Sequence, residues 1–246
     1  MSSTRSPSRK APATDATIIV SHGQPGDPDP AEAALAAFAT QVAGALPGWH
    51  VGAATLAKAG ALDAALDAAG PAPLVYPMFM TEGWFTGDNL RARLGAAPGA
   101  RVLRPLGVSP ELPVLAAGLL LAEMSRQGWT PEDVSLLIAG HGSGRSPNSA
   151  RDTRAFANAV SERLPVAELR VGFIEEPPYL ADAAAGMGAR ALCLPFFAAR
   201  GGHVTGDIPE ALDKAGFAGL RLDPVGCAAG VPALVARALE AAQVAA

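Results

Sequence analysis

The sequence predicts an α/β protein made of two tandem repeats, each a parallel sheet with helices on both faces. Three landmarks recur 119 positions apart along the chain: His22 and His141, Asp88 and Asp207, and Gly107 and Gly226. Short apolar runs also alternate with helical patterns in the same order in both copies. A constant offset with this strand–helix rhythm indicates an internal duplication of an α/β unit.

Each copy carries four apolar runs that predict strands. They are TIIVS, WHVGAAT, PLVYPMF and ARVLRPL in the first copy, and SLLIAG, ELRVGFI, ALCLPFF and LRLDPVG in the second. Such short and nearly continuous apolar runs are typical of strands that are buried on both faces of a parallel sheet. In the second copy, helical patterns follow the strands, the first of them with Asn148 or Ser149 as its predicted N-cap.

The repeat pattern divides the chain into three predicted segments. Residues 1–15 are rich in Ser, Pro and basic residues and lack the apolar core of a secretion signal, so we expect a disordered tail, with an organellar transit segment as the weaker alternative. Residues 16–128 form the N-terminal repeat and residues 129–246 the C-terminal repeat, with the boundary near WTPED. Because residues 1–15 lack a secretion signal, we expect a cytoplasmic protein.

The composition restricts the function. The 246 residues carry a formal net charge of −4 and a pI near 5.6, which argues against a nucleic-acid binder because those are normally basic. No apolar run reaches the roughly 18–20 residues that span a bilayer, so we expect no membrane partner. The two cysteines, Cys193 and Cys227, lie in apolar surroundings, which predicts buried structural thiols.

Polar side chains follow three successive strands of the second copy. His141 comes after the first strand, Glu175 and Glu176 come after the second, and His203 comes after the third, past a Gly-rich loop. Ligands of open α/β sheets bind at the carboxyl ends of the strands, so these side chains should share one edge. Imidazole and carboxylate groups bind Fe, Co, Ni or Zn, and imidazoles also exchange protons near neutral pH.

The first copy keeps only part of this set. His22 aligns with His141, but Thr55 is predicted to stand in place of Glu175 and Trp84 in place of His203. The loop frame is shared, as GWFTGD in one copy and GHVTGD in the other. The sequence therefore predicts one active centre, in the second copy, and a degenerate site in the first.

The combination of HGS after the first strand, FIE after the second and PFF…GGHVTGDIP after the third resembles the CbiX-type sirohydrochlorin chelatases. These are class II tetrapyrrole chelatases, and the resemblance is to the long, two-repeat form, with chelatase-like, flavodoxin-like halves. It implies insertion of Co²⁺ or Fe²⁺ into sirohydrochlorin or a related carboxylated tetrapyrrole, in cobalamin, sirohaem or haem biosynthesis. It implies no organic cofactor, since the divalent metal is a substrate.

The resemblance assigns metal-binding and catalytic roles to His141 and His203, and places the acidic residue at Glu175. We hypothesise that the two histidines present the metal or accept pyrrole protons while Glu175 assists. Glu176 could take the same role, because the sequence does not show which carboxylate faces the site.

The carboxylated macrocycle also needs cationic and apolar partners. Arg145 and Arg200 flank the two histidines and are the best candidates for pairing with substrate carboxylates. Ser143, His22 and Trp84 complete the predicted substrate-binding set, Trp84 as an apolar wall or a packed structural residue. Apolar walls could also come from Met78, Phe79, Met80, Phe85, Phe196 and Phe197.

Two rival functions remain at this level. One is a non-catalytic tetrapyrrole or metal carrier derived from a chelatase, and the other is a different metal-dependent enzyme such as a hydrolase. The lack of further Asp or His residues after the strands argues against a two-metal hydrolase. Two fused repeats can pair with each other, so the chain is expected to be a monomer or a homodimer.

Overall fold

The computed structural model describes residues 15–83, 87, 89–97 and 99–245, and within them two four-stranded sheets in which every strand is parallel. The first sheet has the order β2-β1-β3-β4, from β1 (Ala16–Ser21), β2 (His50–Thr55), β3 (Leu74–Pro77) and β4 (Arg101–Val102). The second has the order β6-β5-β7-β8, from β5 (Ser135–Gly140), β6 (Glu168–Phe173), β7 (Ala191–Pro195) and β8 (Leu220–Arg221). The predicted pair of tandem parallel sheets is confirmed.

The helices of the described residues alternate with these strands. They are α1 (Pro28–Gly44), α2 (Ala61–Ala69), α3 (Leu90–Arg93), α4 (Leu112–Gln127), α5 (Asn148–Ser161), α6 (Leu180–Ala184), α7 (Ile208–Lys214) and α8 (Val231–Val244). A short π-helical turn, His203–Asp207, leads directly into α7.

The chain stacks in five layers because each strand is apolar on both faces. In β1, Ile19 points to an inner core whereas Ile18 and Val20 point to an outer one, as the two-residue period of a strand requires. Helices α1, α4, α5 and α8 fill the inner layer between the sheets. The outer faces are covered by α2 and α3 on the first sheet and by α6 and α7 on the second.

The two halves share the inner core and are tied together by hydrogen bonds. The end of α8 reaches the first sheet, where Gln243 Nε2 donates to Asp15 Oδ1 at 2.7 Å and Arg101 Nη2 donates to the Ala242 carbonyl at 2.5 Å. Thr81 Oγ1 donates to Asp152 Oδ2 on α5 at 2.5 Å. The halves therefore pack as one body around a common layer of helices.

Three local expectations differ from the structure. The fourth strand of each sheet is only two residues long, and Pro105 and Pro224 follow, where the missing N–H and fixed φ oppose continuation of a ladder. Helix α5 begins at Asn148 with Pro147 in the N-cap position and no side-chain cap, so the predicted N-cap is wrong. The Asn148 side chain instead donates to the Glu82 carbonyl at 2.8 Å.

The third difference concerns the cysteines. Cys193 is fully buried in β7, and burial raises the pKa of its thiol to about 12. Cys227 is exposed, so the expectation of a buried thiol is wrong there, because the short turn after Pro224 places it at the rim of a cleft. Among the described residues, the helices are too short or too polar to cross a membrane.

Candidate functional site

The polar groups of the second half meet at the carboxyl edge of its sheet. His141 directly follows β5, Glu175 lies two residues after β6, and His203 opens the π-helical turn before α7. Because β5 lies between β6 and β7 in the sheet, the three chain segments converge over the end of β5. The structure therefore brings together the three residues that the strand pattern predicts.

The two imidazoles face each other through their Nε2 atoms. His141 Nε2 and His203 Nε2 are 3.1 Å apart, and the ring planes are nearly perpendicular, at 87°. The carboxylate of Glu175 approaches the same point, with Oε1 3.6 Å from His141 Nε2. All three side chains are 37–48% exposed, so the site is open to solvent and to a substrate.

The opposite nitrogen of each imidazole is occupied by an acceptor. His141 Nδ1 lies 2.8 Å from the Gly142 carbonyl oxygen, and His203 Nδ1 lies 2.5 Å from Asp207 Oδ2. An acceptor at Nδ1 selects the tautomer that carries its proton there. In their neutral forms both rings then direct an Nε2 lone pair into the space that Glu175 also faces, an arrangement that favours a cation.

The structure separates the roles of the two adjacent glutamates. Glu176 Oε1 accepts a hydrogen bond of 2.9 Å from the Ser143 backbone N–H, which braces the turn after His141. That turn needs Gly142, whose φ is +74° and which lies close to Glu176 and Phe173. Glu175, and not Glu176, is the carboxylate that faces the histidines.

Asp207 is a site residue that our reading of strand ends missed. Asp207 does not directly follow a strand, and in the sequence it is recognisable as a landmark of the repeat. The available signal was its spacing, since residues four apart on a helical turn lie on one face. A His and an Asp at that spacing form a pair in which the carboxylate orients the imidazole.

The first half lacks the corresponding carboxylate, but the residue in its place is not Thr55. Thr55 pairs with Ser21 in the sheet, as Phe173 pairs with Gly140, so Thr55 matches Phe173. The equivalent of Glu175 is Ala57, because each donates its backbone N–H to the carbonyl of the histidine after the first strand, at 2.9 Å. The prediction was wrong by two residues, because Thr55 lies 120 positions before Glu175 whereas the second and third strands of the copies align at an offset of 118. Trp84, the predicted counterpart of His203, lies outside the described residues.

The predicted cationic residues have different surroundings. Arg200 forms a two-pronged ion pair with Asp223, whose hydrogen bond and charge raise the pKa of the guanidinium. Arg145 is exposed on the turn after His141, and its backbone N–H donates to Ser143 Oγ at 3.2 Å. The Ser143 hydroxyl thus supports the turn that carries Arg145.

A cleft of about 860 Å³ lies between the two halves, beside the histidine pair. His22 and Gln24 line it from the first half, and Arg200 and Thr205 line it from the second, with alanines of both halves filling much of the wall. Gly202 and Thr205, which lie on either side of His203 in the chain, line the cleft, whereas His141 and His203 themselves are not lining residues. The cleft therefore opens next to the metal-capable groups and is separate from them.

The aromatic candidates divide between core and site. Phe196 is buried and stacks on Phe156, with ring centroids 4.5 Å apart. Phe197 is half-buried and lies beside both histidines, with centroid distances of 6.3 Å to His141 and 6.4 Å to His203. Of these two neighbouring residues, Phe197 is placed to contact a ligand at the site and Phe196 is part of the core.

Across the described part of the chain, no set of three or more His, Cys, Asp and Glu side chains forms a compact metal site. The histidine pair and Glu175 form a looser arrangement, with the carboxylate 3.6 Å from the nearer imidazole nitrogen. This differs from a structural zinc site, in which four ligands close around the ion.

Comparison with known proteins places the chain in a family. The CbiX family model matches residues 135–241. The solved structure of CbiX, described as the terminal enzyme for biosynthesis of siroheme in denitrifying bacteria, is 46% identical, with a TM-score of 0.85 over 92% of this chain and 99% of that chain. A search of curated proteins found no match.

More distant structures share the fold alone. DR2241 from Deinococcus radiodurans, a multi-domain protein with structural similarity to chelatases, is 22% identical with a TM-score of 0.72, over 92% of this chain and 55% of that one. SirB from Bacillus subtilis, solved with Fe³⁺, is 16% identical with a TM-score of 0.69, over 92% and 94%. The CbiX structure is 46% identical over nearly the full length of both chains. This identity and coverage show that the chain belongs to the CbiX family.

Proposed function

We propose that the protein is a chelatase that inserts Co²⁺ or Fe²⁺ into sirohydrochlorin or a related carboxylated tetrapyrrole. The observation that carries the proposal is the pair of Nε2 atoms 3.1 Å apart, each with its Nδ1 held by an acceptor. The CbiX structure that is 46% identical belongs to an enzyme of siroheme biosynthesis, which agrees with this chemistry. SirB structures with iron and with cobalt support a metal substrate of either kind.

The site is suited to holding an ion briefly. Imidazole nitrogens lie about 2.0–2.1 Å from a bound ion such as Zn²⁺, so two of them on adjacent positions of one ion lie about 3 Å apart. His141 and His203 have that separation, and Glu175 supplies a carboxylate nearby. Two nitrogens and one oxygen leave coordination positions open, through which the metal can pass to the ring nitrogens.

Insertion also requires removal of two protons. The free macrocycle carries two N–H groups, and it exchanges both protons for one M²⁺ without any change of oxidation state, so the reaction itself needs no organic cofactor. As the metal passes to the ring, the Nε2 lone pairs of His141 and His203 that held it become free to accept these protons. Imidazoles exchange protons readily at neutral pH, which suits this step.

The cleft between the halves is the proposed seat of the macrocycle. Its volume of about 860 Å³ is within the range of ligand pockets, and its alanine-rich walls can lie against a flat ring. Arg200 at the rim, and Arg145 on the turn after His141, would pair with peripheral carboxylates. His22 lines the same cleft and would contact the substrate from the first half.

The proposal is tested with purified protein, sirohydrochlorin and Co²⁺, following the change in the visible spectrum as the metal enters the ring. Wild-type protein should accelerate insertion above the spontaneous rate, and His203→Ala should lower the rate by about 100-fold or more, because a metal ligand and a base are lost. His50→Ala is the matched control, since His50 is exposed at the amino end of β2, whereas the candidate site lies at the carboxyl edge of the second sheet. Tight binding of the tetrapyrrole without acceleration would show a carrier instead.

A further inference from the structure

Among the described residues of the candidate centre, Asp207 contacts His203. Its Oδ2 atom lies 2.5 Å from His203 Nδ1, while the Nε2 atom of the same ring points to His141. Both residues belong to the short π-helical turn that precedes α7, and their side chains are 44% and 49% exposed. The pair is therefore formed within one turn of backbone at the open edge of the sheet.

We propose that Asp207 is a positioning residue that sets the tautomer and the orientation of His203. The inference rests on the proposed function, because the purpose of the orientation is to present an Nε2 lone pair to the metal or to a pyrrole proton. With Nδ1–H donated to the carboxylate, the ring has its lone pair only on Nε2. Rotation of the ring about its bond to Cβ is opposed by the same hydrogen bond.

Among the residues that the structure describes, aromatic stacking does not provide this orientation. Besides His141, the described ring beside His203 is that of Phe197, whose centroid is 6.4 Å away and whose plane is tilted by 42°, so it does not stack on the imidazole. Gly202, which precedes His203 in the chain, has no side chain. An imidazole that is 44% exposed in such surroundings keeps more than one rotamer unless a hydrogen bond selects one.

His141 reaches the same tautomer by a different route. Its Nδ1 lies 2.8 Å from the carbonyl oxygen of Gly142, a backbone group that no side-chain substitution removes. His203 depends on a side chain, so the two histidines can be perturbed independently. Substitution of Asp207 should therefore change the ring protonation pattern of His203 and leave that of His141 unaltered.

The experiment uses the full chain without tetrapyrrole and two measurements. Long-range ¹H–¹⁵N NMR of the imidazoles, with His203 assigned by its loss in His203→Ala, should show the ring proton of His203 on Nδ1. In Asp207→Asn the amide can donate to Nδ1, which shifts the ring proton to Nε2. Titration with CoCl₂ alone should then show an affinity lower by roughly 10–100-fold, the usual effect of removing the partner of a ligating histidine.

Two further variants separate positioning from general damage to the fold. Asp207→Glu keeps an acceptor and should recover the Nδ1–H tautomer and part of the Co²⁺ affinity. Asp213→Asn removes an exposed carboxylate of α7 that pairs with Arg221, and it should change neither measurement. A wild-type His203 with its proton on Nε2 overturns the inference, as does an Asp207→Asn protein with unchanged tautomer and an affinity within twofold of the wild type.

Failure of the inference is distinguishable from failure of the proposed function. If Asp207→Asn changes the tautomer and the Co²⁺ affinity but wild-type protein does not insert metal, Asp207 positions a ligand in a metal-binding protein that is not a chelatase. If wild-type protein inserts metal and Asp207→Asn alters neither measurement, the activity stands and the positioning role is wrong.

Discussion

Glu175 and Glu176 are adjacent in the chain, yet their carboxylates have different partners. Glu175 faces His141 across 3.6 Å, whereas Glu176 accepts the Ser143 N–H at 2.9 Å. The peptide chain leaves β6 at this point, so consecutive side chains point in different directions, one into the site and one beneath the turn that follows His141. In the proposed mechanism Glu175 takes part in the chemistry, whereas Glu176 supports the turn.

Substitution of these two residues should therefore have different effects. Glu175→Gln removes a charge from the proposed metal site and should lower Co²⁺ affinity by roughly 10-fold or more with little change in stability. Glu176→Gln loses the charge assistance of the hydrogen bond to Ser143 and should lower the free energy of unfolding by about 1–2 kcal/mol. Cobalt titration and urea unfolding of both variants test this, and identical behaviour of the two would contradict it.

At the scale of elements, the loops after the third strands are held by close contacts with glycines. The Gly226 N–H donates to the Phe197 carbonyl at 3.0 Å, and a Cβ on Gly226 would lie 2.4 Å from the Ala198 carbonyl oxygen. In the first half Gly107 donates in the same way to Phe79, and a Cβ there would lie 2.0 Å from the Met80 carbonyl oxygen. The repeated glycine thus marks a place where two backbones touch.

Gly226→Ala should displace the loop that leads from β7 to His203. The added methyl group cannot fit beside a backbone carbonyl, so we expect a loss of about 1–3 kcal/mol in stability together with slower metal insertion. Gly118→Ala is the control, because a Cβ in the middle of α4 meets nothing within 4 Å and should stabilise the helix by roughly 0.5–1 kcal/mol. Thermal unfolding measures both, and equal shifts in the same direction would contradict the prediction.

At the scale of the whole molecule, one side of the junction between the halves is fastened by a buried carboxylate. Asp152 on α5 is 6% exposed and accepts hydrogen bonds from Thr81 Oγ1 at 2.5 Å and from the Glu82 N–H at 3.1 Å. The position 119 residues earlier holds Ala33, which has no acceptor to offer. The opposite side of the junction contains the cleft, so the duplicated halves are joined asymmetrically.

Asp152→Ala should loosen this junction in a pH-dependent way. Burial alone would raise the pKa of Asp152, but hydrogen bonds from Arg151, Thr81 and Glu82 hold the pKa below its ordinary value. A carboxyl with a lowered pKa stabilises the fold above its unfolded-state pKa of about 3.9, and this contribution is lost as the pH falls through its pKa in the folded protein.

The variant should accordingly be less stable than the wild type by about 1–3 kcal/mol at pH 7, because the donors on Thr81, Glu82 and Arg151 lose their acceptor. The difference should shrink as the pH falls below about 4. Urea unfolding at several pH values measures it. A difference that stays constant down to pH 3 would show that the charge of Asp152 does not contribute.

The duplication, the parallel sheets and the edge that carries the site could all be predicted from the sequence. Carboxyl ends of parallel strands meet at one edge, so the order of residues along the chain suffices to bring His141, Glu175 and His203 together. His141, Glu175 and His203 are residue types that bind metals, and all three lie in the second copy, so the sequence indicates a single centre. The division of the chain at residues 128 and 129 stays a prediction, because the helices of both halves share one core.

Only the tertiary structure decided which atoms meet. The strand register makes Ala57, and not Thr55, the counterpart of Glu175, because the second strands of the copies align at an offset of 118, and no composition or period reports such a shift. The choice of Glu175 over Glu176, the pairing of Asp207 with His203 and the cleft between the halves all depend on side-chain directions and on contacts between distant parts of the chain. Local sequence patterns specify the strands and their ends, whereas the site also requires the packing of segments that are far apart in sequence.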